Sequence, residues 1–166
     1  MSRQAVCGII FNKKNEVLLI KRRDIPVWVL PGGGIEERET PEQAVIRELF
    51  EETGYTTQIV RQVAKYFPYN KLTRVTYFFE CEILSGKPYR GPETKDVEFF
   101  SLNNLPKYLP PPYPGWIADA YKKEPPVCKM IEGTSYLQLV KFLFQYPLLT
   151  LRFLLTKIGI HFNAKD

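Results

Sequence analysis

The chain has 166 residues, 45% of them apolar and 14% aromatic, with a formal net charge of +5, which excludes a disordered polymer and fits one domain with a real core. Its three cysteines, Cys7, Cys81 and Cys128, are widely spaced with no Cys-x-x-Cys pair, so neither a disulfide framework nor a zinc site is expected. The positive charge suits an anionic ligand, but no basic run favours specific nucleic-acid binding, and the N-terminus shows no secretory pattern, so the cytoplasm is the expected location.

Ala5 to Phe11 and Glu16 to Arg22 are apolar, partly β-branched runs joined by Asn12-Lys13-Lys14-Asn15, a pattern that predicts a β-hairpin. Lys21, Arg22 and Arg23 close the second run. Strand alternation sends Arg22 to the opposite face from its neighbours, so the three do not share one ligand. Arg23 is the basic residue chosen to meet an anion, where an Arg fork suits phosphate; the competing reading is a solvated strand end. Arg3, Lys71 and Arg74 are further basic residues with no supporting pattern. Trp28 to Gly34 then reads WVLPGGG, ahead of a helix.

The helix carries its own start and stop signals. Thr40 is placed to cap it, Pro41 suits its first position, and Gln43 completes a capping box. Gly54 suits a left-handed residue just past the end. Projection at about 100° per residue puts Val45, Ile46, Leu49 and Phe50 on an apolar face, with Ala44, Arg47, Glu48, Glu51 and Glu52 on the other. Glu48 and Glu52 are like charges at i,i+4, a pairing that costs roughly 0.2–0.5 kcal/mol on an exposed helix. Glu51 and Glu52 also lie in the last turn, where the helix dipole disfavours anions. Such an arrangement calls for a counter-ion from outside the chain, and Mg²⁺ is the natural one, since hard divalent cations take carboxylate and carbonyl oxygens.

Further strands are expected over Gln58 to Tyr66, Arg74 to Leu84 and Val97 to Leu102, and a second helix over Gly115 to Lys123. Half of the fourteen prolines fall between Pro106 and Pro126, which forbids a continuous helix there and predicts a stiff connector. Residues 1–125 are therefore read as one domain and 126–166 as an apolar helical extension. In that extension Thr134, Gln138, Lys141, Gln145, Arg152 and Thr156 recur as one narrow polar stripe, with Pro147 breaking it in two. Its apolar surface is expected to cover the domain itself, a second copy in a homodimer, or a membrane surface at shallow depth. Lys141, Arg152 and Lys157 interrupt it too often for an ordinary membrane span.

Gly33 to Tyr55, GGIEERETPEQAVIRELFEETGY, resembles the signature of the Nudix hydrolases, G-x(5)-E-x(7)-R-E-U-x-E-E-x-G-U with U bulky and apolar. Gly33, Glu39, Arg47, Glu48, Glu51, Glu52 and Gly54 match every fixed position; Leu49 fills the first U and Tyr55 departs mildly at the second. Seven specified residues at fixed spacing make chance agreement remote. The resemblance covers about the first 125 residues and implies an α/β fold, the Nudix α/β/α sandwich with a mixed sheet between helices, here with a C-terminal helical extension. It further implies Mg²⁺, with Mn²⁺ as a substitute, bound by Glu48, Glu51, Glu52 and the Gly32 carbonyl, with Arg47 orienting a glutamate. Glu39 matches a glutamate of lesser role. Gly33 and Gly34 join Arg23 as expected substrate contacts.

The reaction implied is water attack on a phosphorus of a nucleoside diphosphate linked to another group. His161 is the single histidine and sits near the C-terminus, so the general base is expected to be a carboxylate. Glu48 is one candidate. Glu93, in a stretch resembling the acidic loop that enters many family active sites, is the other, with a turn residue after Pro92 as its alternative reading; Glu98 reads as an exposed strand residue. The substrate expected is a small nucleotide, a nucleoside triphosphate ahead of ADP-ribose, a nucleotide sugar or a dinucleoside polyphosphate; a binding domain without catalysis is the reading from another class. Phe67, Tyr69 and Tyr77 either stack on a base or pack the strands.

Overall fold

The structure is a computed structural model that describes residues 4–68, 70, 73–107, 109–131, 147–148, 151 and 155. In chain order the elements are β1 (Ala5–Ile10), β2 (Glu16–Arg22), β3 (Trp28–Val29), α1 (Pro41–Thr53), β4 (Tyr55–Phe67), β5 (Thr76–Gly86), β6 (Thr94–Ser101), α2 (Tyr113–Tyr121) and β7 (Val127–Met130). They form a four-stranded mixed sheet, ordered β1-β5-β4-β7, and a three-stranded antiparallel sheet, ordered β3-β2-β6. β1 runs parallel to β5 and β7 parallel to β4, while β4 and β5 are antiparallel. The α/β sandwich expected from the sequence is present.

Alternation along the strands divides the core in two. Val6, Ile10, Leu18 and Phe79 pack with Ala44, Val45 and Leu49 of α1. Cys7, Ile9, Val17, Leu19, Tyr66 and Phe78 pack with Trp116, Ile117 and Ala120 of α2. Gly8 faces α1 because a Cβ there would meet the Leu49 side chain within 2.9 Å. Tyr66 and Trp116 stack at 4.4 Å and 2°, tying α2 to β4. Arg61 holds the other end of α2, its Nε donating to the buried Glu80 (2.8 Å) and its terminal nitrogens to the carbonyls of Ala120 and Glu124 (both 2.8 Å).

Two sequence expectations change here. The Asn12–Asn15 turn forms, with the Asn12 side-chain oxygen accepting from Lys14 N and Glu16 N and with Asn15 at φ 58. The flanking strands do not zip into a hairpin, however; a single bridge joins Phe11 to Val17, and each strand enters a different sheet. Val127–Met130, read as part of a helical extension, is instead an edge strand on β4, followed by the buried Ile131, whose N–H donates to Phe67 O at 2.8 Å. Pro147, Leu148, Leu151 and Leu155 are helical, and the rest of the apolar segment lies outside the described residues, as do Tyr69, Lys71 and His161. No helix among the described residues is long and apolar enough to cross a membrane.

Candidate active site

α1 is fixed by the local signals at its ends. Thr40 Oγ1 accepts from Gln43 N and the Gln43 side chain accepts from Thr40 N at 2.9 Å, a closed capping box; Gly54 stops the helix at φ 77, with its N–H on Phe50 O. Its buried arc differs from the projection made on sequence. Ala44, Val45, Leu49 and Thr53 are fully buried, whereas Phe50 is 56% exposed. At about 100° per residue, Ala44, Glu48, Glu52, Val45, Leu49 and Thr53 follow one another around half the helix. Glu48 and Glu52 therefore lie within the inward-facing arc, and Arg47 and Glu51 lie at its edge.

Burial governs the electrostatics of these two glutamates. Glu52 accepts one hydrogen bond among the described residues, from Gly32 N at 2.7 Å; burial pushes its carboxyl up to about 8, and the charges of Glu48 and Glu93 add to that. Burial also raises the Glu48 carboxyl, against the pull of Arg47. A Cβ on Gly33 would fall within 2.6 Å of the Glu48 carboxylate. The missing side chain at position 33 is what lets Glu48 lie over the loop backbone.

Arg47 organises the remaining carboxylates. Its Nε and Nη2 make a bidentate pair with Glu39 (2.9 and 3.0 Å), Nη1 donates to Glu48 (3.0 Å) and Glu51 (3.2 Å), and Nη2 also donates to Gly34 O (3.1 Å). The Arg47 pair holds Glu39 below the usual carboxylate range. Loop and helix are thereby clamped with Glu48 pointing at the glycines.

Glu93 lies within electrostatic reach of both Glu48 and Glu52. Its loop is held by Arg23, whose N–H donates to Glu93 O (2.9 Å) and whose Nε donates to Gly91 O (3.0 Å); Arg23 thus braces the acidic loop. Arg22, set aside on sequence, pairs with Asp24 and lies within electrostatic reach of Glu52 and Tyr113. Tyr113, from the proline-rich stretch, was not singled out; its proximity follows from long-range packing that no local signal carries. Glu98 is an exposed strand residue, as expected.

Among the described residues no three His, Cys, Asp or Glu side chains already converge as a metal cage; Glu51 is 56% exposed and turned to Arg47. The donor chemistry nonetheless fits a hard cation. Glu52 is partly buried with a single donor among the described residues, Glu48 and Glu93 add negative charge, and the Gly32 carbonyl accepts no hydrogen bond among the described residues. Glu48, Glu52 and Gly32 are the groups that would hold it, with Glu51 reaching in on turning from Arg47.

Comparisons with known proteins show the family. The NUDIX domain model matches residues 1–121, and the chain belongs to the Nudix family. A Methanocaldococcus jannaschii protein named ADP-ribose pyrophosphatase is 40% identical over 109 residues, 62% of this chain and 64% of that protein; the chain thus spans less than two thirds of that relative's length. A Bacillus subtilis protein named putative 8-oxo-dGTP diphosphatase is 33% identical over 112 residues, 67% of this chain and 74% of its own. The crystal structure of a NUDIX hydrolase from Nitrosomonas europaea superposes with a TM-score of 0.68 at 24% identity, covering 78% of each chain, which shows the shared fold.

Proposed function

We propose that this protein hydrolyses a phosphoanhydride bond of a small nucleotide, by water attack on phosphorus, with Mg²⁺ or Mn²⁺ as cofactor. What supports the reading is the pair Glu48 and Glu52, partly buried on the inner arc of α1 within electrostatic reach of Glu93, with Glu48 held by Arg47 and Glu52 by Gly32 N. Carboxylates so placed are costly without a cation, and a bound divalent ion would polarise phosphoryl oxygens and lower the pKa of water. Arg47 fixes the direction of Glu48. Water forms the new P–O bond, the anhydride P–O bond breaks, and the proton passes to a carboxylate.

Glu93 is our choice for that base, because Glu48 is engaged by Arg47 whereas the Glu93 carboxylate has no hydrogen bond among the described residues and sits on the loop that Arg23 braces. Glu93→Gln with near-wild-type turnover would return the role to Glu48. A nucleoside triphosphate is the favoured substrate; the M. jannaschii relative's name favours ADP-ribose as the second reading. A panel of both classes in Mg²⁺, Mn²⁺ and chelator, with products identified by mass spectrometry, tests the proposal. Turnover lost in chelator and in folded Glu52→Gln supports it; no turnover on any substrate leaves a binding domain.

A further inference from the structure

The chain leaves the domain through β7, beside an exposed apolar edge. Phe67 and Met130 stand in register there and both are exposed. The Lys65 ammonium lies 5.5 Å over the Phe67 ring and 4.7 Å over the Tyr77 ring, so these two aromatic residues meet a lysine at the surface of the sheet. Exposed apolar groups beside a stacked cation suit a boundary that is greasy on one side and charged on the other.

Beyond β7 the same combination recurs. Leu148, Leu151 and Leu155 are helical and spaced i, i+3, i+7, which puts them on one face. Leu148 is 77% exposed and Leu151 52%, so the domain leaves both uncovered. From residue 133 to residue 165 the sequence carries Lys141, Arg152, Lys157 and Lys165 with no Asp or Glu, and four of the five net positive charges of the chain therefore fall in this segment.

Of the three coverings open to the segment, two conflict with these facts. Packing on the domain would hide the leucines. A second copy related by a two-fold axis would bring like charges to one shared face, which costs affinity. An anionic bilayer surface meets both needs, because it takes leucine side chains at its acyl boundary and basic residues at its headgroups. Spanning is not called for, since no helix among the described residues is long and apolar enough to cross.

We propose that the C-terminal segment and the Phe67–Met130 edge dock this protein, at shallow depth, on a bilayer that bears anionic phospholipid. Leu148 and Leu151 enter the acyl boundary, and the Lys and Arg residues of the segment answer the headgroup charge. Docking stands apart from the hydrolase reading, because none of these residues belongs to the carboxylate site.

Sucrose-loaded vesicles of phosphatidylcholine alone, and of phosphatidylcholine with phosphatidylglycerol in equal parts, are sedimented with the full chain and its variants at low and high salt. The full chain should pellet with the anionic vesicles only, and less at high salt. Leu148→Gln combined with Leu151→Gln should weaken that partitioning by about tenfold or more. Arg152→Gln combined with Lys157→Gln should weaken it about 25-fold, roughly fivefold per charge. Without vesicles, both double variants should keep the wild-type unfolding midpoint and the wild-type mass by light scattering. Equal pelleting with neutral vesicles, or none with anionic ones, overturns the proposal. A lowered midpoint in the leucine variant assigns that face to the domain, and a wild-type dimer that this variant dissociates assigns it to a second copy; either result also overturns docking. Turnover of a soluble nucleotide is followed alongside: pelleting as expected without turnover upholds docking and rejects the hydrolase reading, and turnover without pelleting does the reverse.

Discussion

Replacing Gly33 and Gly32 by alanine, one at a time, separates the site from the scaffold. At position 33 the new Cβ would lie 2.5 Å from Glu48 Cδ and 2.6 Å from Oε2, against the ~3.5 Å that carbon contacts require. The obstacle is the end of a flexible side chain, so Glu48 moves by about 1 Å at a rotamer cost of ~0.5–1.5 kcal/mol. The lower entropy of the unfolded alanine chain offsets ~0.4–1 kcal/mol of that, and net stability should change by less than about 1 kcal/mol. On the proposed role of Glu48, a 1 Å displacement of its carboxylate should cost about 100-fold in kcat/KM, or ~2.7 kcal/mol. At position 32 the Cβ would strike backbone, the Val6 carbonyl and Cys7 Cα (2.7 Å), at φ +153. β1 cannot yield there, because Val6 and Cys7 are in register with Tyr77 and Phe78 and Val6 N donates to Gly33 O. Gly32→Ala should therefore lose at least ~2 kcal/mol. Urea unfolding followed by circular dichroism, with turnover in Mg²⁺, measures both. Full turnover in Gly33→Ala refutes the placement of Glu48, and a wild-type midpoint in Gly32→Ala refutes the backbone contact.

Two further outcomes follow from burial. In chelator the native state holds the Glu52 proton up to about 8, while the unfolded chain releases it near 4.5; the native state binds more protons across that window, so stability falls as pH rises through it. Glu52→Gln should remove the slope, gaining on the order of a few kcal/mol at pH 8 and nothing at pH 4, with wild type recovering in Mg²⁺; parallel pH curves for the two proteins would reject the burial. Truncation after Glu132 keeps β7 and the 4%-exposed Ile131, and should still lower the unfolding midpoint or reduce the solution mass if the apolar extension covers the domain or a second copy. An unchanged midpoint and mass exclude both coverings. A cut after Pro126 should cost a further ~2 kcal/mol or more through Ile131 alone.

What could be read from sequence was local. The capping box at Thr40 and Gln43, the stop at Gly54 and the turn at Asn12–Asn15 depend on residues within a few positions, and all three form. Partner choice in a sheet is not local: β1 finds β5, about seventy residues on, and the hairpin signal at Asn12 cannot register that competition. β7 has four residues after a run of prolines, too few for alternation to show. Periodicity gave α1 an apolar face but misplaced its centre, because only apolar residues were assigned to the inward side; Phe50 is exposed while Glu48 and Glu52 lie partly buried on the inner arc. Tyr113 comes within electrostatic reach of Glu52 only once α2 packs on β4 and β5, and Arg22 only once β2 takes its place in the β3-β2-β6 sheet.

That misplacement is itself informative about the site. If Glu48 and Glu52 were on a solvated face, their repulsion would be worth a few tenths of a kcal/mol and would say little about function. On the buried arc they are desolvated, near each other and near Glu93, with Gly32 N the donor to Glu52 and Arg47 committed first to Glu39. Apolar residues at 48 and 52 would avoid the cost of desolvating two carboxyls, so the fold retains a carboxyl cluster that folding alone does not need. The cluster is held by rigid parts: the capped helix, the Arg47 clamp and a glycine loop pinned to β1. A bound cation would supply what the cluster lacks, positive charge against the carboxylates. The same burial that makes Glu52 costly in isolation makes its pull on a metal strong, because the surrounding dielectric is low.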